Sequence, residues 1–471
     1  MLNRSVIFTL LVTALSLVVS SVQAQSHGNT YSGYRRSVGY MPPRVENAER
    51  AKSFATATEE EVAEPLPEEK QAVSVERSSK ATWKTVNAVR DGQRSDFRTA
   101  YEEAGPVEVD PLPMEHCGNE DEGCLTCGLM GFCRPRCYWG RVEYLGWWKQ
   151  GMRIPALVTE NPTAEPALSN HDTVILFGND SINKDAKSGG RFTLGMWADP
   201  CRLHGLQFTY LNLGTETASY HAAGDGSTYL GRPLFNIQTG SASAHPIGYP
   251  DSYSGWVNVD AKTKFQGTEL LYRRAIKRNP YSQLDLLVGW RWLQLKDDLL
   301  ISESVTHEPT SVTVDSFDRF NTKNNFHGVE FGIQWQRPIA CNWTFEMVGK
   351  MALGNSHSVV VIDGQSTAPL SPNDGVLALS SNSGTHSHNS LSAITELGLS
   401  VKRRFSDRLE ASFGYTIVYW GDVMRAGDQI DLNVDPRQIP PDPVSATHPA
   451  ALMNTTNFWA QGLHFGLEYA F

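Results

Sequence analysis

No stretch of this 471-residue chain reaches 18 consecutive apolar residues. A helix that spans a bilayer needs about 20, so membrane residence, if any, must use a closed barrel of strands. Cationic charge is also scarce. With 41 Lys+Arg against 51 Asp+Glu the net charge is -10, and no basic stripe of the kind that tracks nucleic acid is present, so nucleic acid is excluded as a partner. Catalytic signatures are missing too. There is no metalloprotease His pair, no Gly-x-Ser-x-Gly elbow and no strand followed by a Gly-x-Gly-x-x-Gly helix start. The expectation is therefore no catalytic residues, no metal site and no cofactor. His386 and His388 sit close together in a long polar loop without ligand spacing.

What is present divides unevenly. Eleven of the 12 Trp follow residue 138, so an aromatic-rich region stands behind a polar leader. Residues 1–24 open with Arg4, an apolar run from Val6 to Val19, and a small-x-small end at Val22-Gln23-Ala24. This is the pattern of an export signal peptide cut after Ala24. Residues 25–113 carry one Trp, scattered Pro and the acidic run Glu59, Glu60, Glu61, Glu64, Glu68 and Glu69. So little apolar surface cannot offset the entropy of ordering, which predicts a disordered polar tether. Residues 114–137 hold Cys117, Cys124, Cys127, Cys133 and Cys137. Cys124 and Cys127 have zinc-knuckle spacing. An exported chain, however, meets a compartment where disulfides persist, so disulfides are expected here, reaching Cys201.

From Tyr138 to Phe471 the chain alternates with period two. Leu463, Phe465, Leu467, Tyr469 and Phe471 fall on one face, opposite Gly462, His464, Gly466, Glu468 and Ala470. The same division recurs at Leu409 to Ile417 and at Val329 to Trp335. Ten strands follow, at about 138–148, 189–198, 202–213, 256–276, 282–295, 326–337, 342–353, 392–404, 408–424 and 457–471. Their connections alternate short and long, as in outer-membrane barrels with short periplasmic turns and long external loops. An extra hairpin, 152–158 with 172–178, would raise the count to twelve. The expected fold is all-β, a transmembrane antiparallel barrel over 138–471.

Several stretches carry a resemblance: Glu143 to Trp148, Gly189 to Gly195, Arg232 to Asn236, Asp285 to Arg291, Phe317 to Phe326, Gly349 to Gly354, and Val423 to Asp431. In this order they resemble the beta-barrel porin family that is seventh in the numbered porin series, best known from planctomycete bacteria. Gly146 stands where that family more often has an aliphatic residue. The resemblance implies an outer-membrane barrel and supplies no catalytic site. The final strand, ending on Phe471, also resembles the closing strand read by the outer-membrane barrel assembly machinery, which makes that machinery and outer-membrane lipid the expected partners.

Alternation turns Arg141, Glu143, Arg191, Glu269, Arg273, Asp285, Arg291, Glu330, Lys350, Glu396, Lys402, Glu410 and Glu468 inward. Of these, Arg191, Arg273, Asp285, Arg291, Glu330, Lys350 and Glu396 are the candidate pore-lining residues. Charges of both signs in a lumen orient hydrated solutes, and they equally pair and seal a narrow barrel. The functional expectation is passive passage of small polar solutes. The alternatives are a plugged structural or adhesive barrel presenting its loops and, further off, an outer-membrane hydrolase.

Overall fold

The computed structural model describes residues 137–199, 201–368, 374–438 and 445–471. The expected signal peptide, the polar tether, and Cys117, Cys124, Cys127 and Cys133 lie outside the described residues.

Alternating sequence becomes strand throughout. In chain order the strands are β1 (Tyr138–Lys149), β2 (Met152–Ile154), β3 (Val158–Asn161), β4 (Val174–Phe177), β5 (Asp180–Ile182), β6 (Lys187–Trp197), β7 (His204–Gly224), β8 (Tyr229–Asn236) and β9 (Ser241–Gly248). Then follow β10 (Tyr253–Asn279), β11 (Ser282–His307), β12 (Val312–Ala340), β13 (Trp343–Ser366), β14 (Gly384–Ser406), β15 (Leu409–Val423), β16 (Asn433–Val434) and β17 (Thr456–Ala470). Ten of them close a barrel in the order β1-β17-β15-β14-β13-β12-β11-β10-β7-β6. Closure is made by β1, which pairs antiparallel with β17 through Glu143↔Gly466 and with β6 through Glu143↔Arg191. At the seam the Phe471 N–H donates to the Tyr138 carbonyl at 2.8 Å. Full closure removes the unpaired edge that a membrane would not tolerate.

The two faces separate as the alternation predicts. Phe465 and Leu467 are 55% and 56% exposed on the outer wall, whereas His464 is 2% exposed inside. Phe331, Ile333, Phe413 and Tyr415 extend the outer apolar band. Aromatic residues mark its margins, with Trp343, Phe405, Tyr281 and Tyr138 near the short turns and Trp148 and Trp290 toward the loops. Inside, Trp139 lies across Gly195, where an added Cβ would fall 2.1 Å from the indole. That close approach of ring and backbone admits glycine alone.

The wall is much taller than the sequence reading anticipates. β10, β11 and β12 run for 27, 26 and 29 residues, far beyond the roughly 10 that cross a bilayer. The expected long connection 296–325 shrinks to 308–311, and 214–255 and 354–391 are largely strand as well. The reason is physical. Toward the loops the outward positions, such as Ser302, Ser304 and Thr306, are polar, so the outer apolar signal vanishes while the inward one, Leu299, Ile301 and Val305, continues.

The possible twelve-strand count is not realised. The segment around 158–161 does pair with 174–177, but as β3 and β4 of a separate sheet ordered β16-β8-β3-β4, with β9 on β8. Together with β2 and β5 this sheet belongs to the long-loop end, where Met152, Ile154, Leu157, Leu230, Ile247, Leu377, Leu379, Met424 and Ile430 pack against Val257, Leu299, Phe320 and Ile362 of the wall.

Candidate functional site: the charged lumen

Each candidate lumen residue points inward, and the strand register decides which ones meet. Glu143 is directly opposite Arg191, Glu269 opposite Arg291, and Lys350 opposite Glu396. Arg191 grips Glu143 with two parallel bonds, Nε to Oε2 at 2.6 Å and Nη2 to Oε1 at 2.8 Å. This fork geometry is the strong form of an arginine–carboxylate pair. Arg291, 1% exposed, reaches Glu330 at 2.8 Å, Glu269 at 3.1 Å, and Glu396 on the far side. Lys350 Nζ lies 2.7 Å from Glu269 and 3.0 Å from Glu396. Its stem passes Gly332, where a Cβ would come within 2.8 Å of Lys350 Cγ. Five of the seven candidates therefore form one layer with Glu143 and Glu269.

The other two, Arg273 and Asp285, lie nearer the short turns and pair with each other at 2.5 Å, with the Arg273 guanidinium 4.9 Å over the Trp197 ring. At that level Lys402 meets Glu346 at 2.7 Å, and Arg141 sits between Glu143, Glu346 and Glu468 at 3.5, 3.7 and 3.9 Å. Glu346 was not among the expected inward charges. Its neighbours alternate less cleanly, yet its position four residues before Lys350 carries the signal.

Toward the loops the lumen turns apolar. Leu145, Trp147, Leu213, Phe265, Leu293, Phe326, Ile394, Val418, Trp420 and Phe458 form a continuous buried layer across the barrel. The Phe265 ring lies tilted against Phe458 at 5.1 Å between centroids, and Phe326 meets Trp420 edge-on at 6.2 Å. A cavity of about 50 Å³ beside the charge layer, lined by Arg141, Arg191, Lys350 and His464 among others, holds a few waters at most.

Above this layer buried ion pairs tie the loops to the wall. Arg425 Nε donates to Asp297 at 2.5 Å, its Nη1 reaches the Gln150 carbonyl at 3.2 Å, and its guanidinium lies 5.7 Å from the Phe458 ring. Asn324 clamps Met424 by accepting its N–H and donating to its carbonyl, both at 2.8 Å. Arg232 bridges Glu303, at 2.9 Å, and Asp318. Asp318 Oδ1 also accepts the N–H groups of Val376, Leu377 and Ala378 at 2.9, 2.9 and 2.8 Å. His245 lies 2.9 Å from the other Glu303 oxygen. Burial by itself would raise the Glu303 carboxyl, but His245 and Arg232 outweigh it and hold the group far below the usual carboxylate range. Sequence reading missed all of these tethers because 296–325 is read as a loop, although Arg232 and Arg425 lie in two of the family-like stretches. His386 is held by a contact to the Asn382 carbonyl at 3.1 Å on β14.

The family model described as "Putative beta barrel porin-7 (BBP7)" matches residues 139–471. No curated protein matches the chain. Among solved structures, the outer membrane protease OmpT from Escherichia coli aligns at 8% identity over 72% of this chain and 98% of its own, with a TM-score of 0.35. A FadL homologue from Pseudomonas aeruginosa aligns at 7% identity over 71% and 90%, TM-score 0.22. An anion-selective porin from Comamonas acidovorans aligns at 8% identity over 71% and 98%, TM-score 0.17.

Proposed function

Since the chain belongs to the beta barrel porin-7 family and is an outer-membrane β-barrel, we propose that it is a sealed barrel whose working surface is its tall external mouth. One observation carries this reading. The apolar layer of Trp147, Phe265, Phe326, Trp420 and Phe458 is buried throughout, and hydrated ions do not cross a dry apolar layer. The paired charges beneath it support the same reading, because paired lumen charges seal a narrow barrel as readily as they line a channel. In this reading the short turns face the periplasm and the loops face outward, following the general rule for such barrels. Export by a cleaved signal peptide and handling of the β17 strand by the barrel assembly machinery belong to the same proposal.

Passage of small polar solutes is the second reading, favoured by the family and by the inward charges. It requires the loops and the apolar layer to move aside. Planar-bilayer recording decides between the two. Absence of conductance steps in the wild type, with steps appearing in a Phe326→Ala/Trp420→Ala variant, supports the sealed barrel. Steady steps in the wild type overturn it and favour passage.

The barrel is not an enzyme in this proposal. The His–acid pairs at the mouth, His245 with Glu303 and His448 with Asp431 at 2.9 Å, serve to hold loops. Peptide- or lipid-hydrolysis by purified protein would contradict this.

A further inference from the structure

The outer wall carries a charge arrangement that the fold does not explain. Lys264 on β10 is directly opposite Lys296 on β11, and Lys296 is directly opposite Lys323 on β12. All three side chains lie on the outward face, between buried neighbours. Side chains so paired start about 5 Å apart, and like charges in that position repel. The row is flanked by Thr215 and Val359, so no acid closes either end. One row toward the loops, Lys262 is opposite Asp298, but Asp298 is taken by Arg319 at 2.8 Å. Asp260, further up, accepts Ser219 and Asn258. Among the described residues the three lysines form no ion pair with an acid.

Their height supplies the second observation. Immediately below the lysines lies an uncharged row, Gln266, Gln294 and Asn325, joined by bonds of 3.1 and 2.8 Å. Below that come Trp292 and then the lipid-facing Leu270, Trp290 and Val329. Lys296 is four residues beyond Trp292, roughly 10 Å along the barrel axis once strand rise and tilt are counted. That is the level at which lipid phosphates lie outside the hydrocarbon.

We infer that Lys264, Lys296 and Lys323 form a binding site on the barrel's outer wall for a phosphorylated lipid of the outer leaflet, whose anionic headgroup neutralises the row. The inference rests on the orientation proposed above and is independent of whether the lumen conducts. Each lysine near an anionic surface contributes about a fivefold preference, so the row favours an anionic over a zwitterionic lipid by about a hundredfold.

The test uses the full chain folded into phosphatidylcholine vesicles with and without a small share of lipid A as the phosphorylated lipid. Lipid retained after detergent extraction is counted by native mass spectrometry, and the unfolding temperature is read by gel shift. The expected result is selective retention of lipid A and a raised unfolding temperature. Both should be lost in Lys264→Gln/Lys296→Gln/Lys323→Gln and kept in the Lys→Arg triple variant. Lys262→Gln, a control beside Asp298, should behave as wild type. Equal retention of both lipids by the wild type, which needs no variant to fold, overturns the site. So does a rise of the same size produced by inorganic phosphate without the lipid, or a triple Gln variant that still selects lipid A.

Discussion

Arg232 and Asp318, 86 residues apart in the chain, meet in a solvent-excluded ion pair at the loop end of the barrel. The pair ties β8, a strand of the mouth, to β12, a strand of the wall, and Asp318 extends the tie to the backbone of Val376, Leu377 and Ala378. Removing either partner would strand a buried charge, which typically costs about 3 to 5 kcal/mol. Arg232→Met should therefore loosen the mouth, seen as faster protease cleavage within 374–383 while the strand signal in circular dichroism persists.

The neighbouring Glu303 gives this tie a pH dependence. Its carboxyl is depressed in the folded protein by His245 and Arg232. A depressed carboxyl contributes its stability fully above the unfolded value near 4.3, and that contribution is lost as pH falls below it toward the folded value. The mouth should be protease-resistant at pH 6 and open progressively below about pH 4. Glu303→Gln should be weakened at pH 6 and lose most of this pH response.

Leu467 is exposed on the outer wall and Gly466 faces the lumen. Arg at Leu467 should cost about 2 to 4 kcal/mol near the midplane, read as a lower denaturant midpoint for folding into vesicles. Arg at Gly466 fails for a different reason, because even a Cβ there falls 2.5 Å from Ser412 Oγ and 2.8 Å from Glu143 Cγ. Its cost should not vary with bilayer thickness, whereas that of Leu467→Arg should.

Arg291 serves three carboxylates in the lumen. Arg291→Gln should destabilise by about 3 to 5 kcal/mol. Adding Glu330→Gln should recover part of the loss, because it removes one of the acids left unpaired. Neutralising Arg291 together with Lys350 would shift ion preference toward cations only if the lumen conducts. Reversal potentials measured on that variant also bear on the second functional reading.

Peptide mapping without reduction should find disulfides within Cys117 to Cys137, reaching Cys201. Cys201 lies in the turn between β6 and β7, on the same rim as Cys137 at the foot of β1. Stoichiometric zinc with free thiols would overturn that pairing.

The sequence by itself determined the two faces and a barrel of ten strands with twelve left open, a choice that the pairing of β3 with β4 outside the barrel then made. Period-two alternation is a local property of an extended chain, so Leu463, Phe465 and Leu467 against Gly462, His464 and Gly466 could be assigned without knowing any neighbour. The same logic placed all seven candidate lumen residues inside. What the tertiary structure decided is whom each one meets. Register sets Lys350 between Glu269 and Glu396 and turns expected pore charges into pairs, and it aligns Lys264, Lys296 and Lys323, which lie tens of residues apart. The apolar layer was equally out of reach. Phe265, Phe326 and Phe458 each read locally as one more inward aromatic. Only closure of ten strands brings them into a single layer, because a lumen is filled or open according to the summed volume of residues that no local pattern connects.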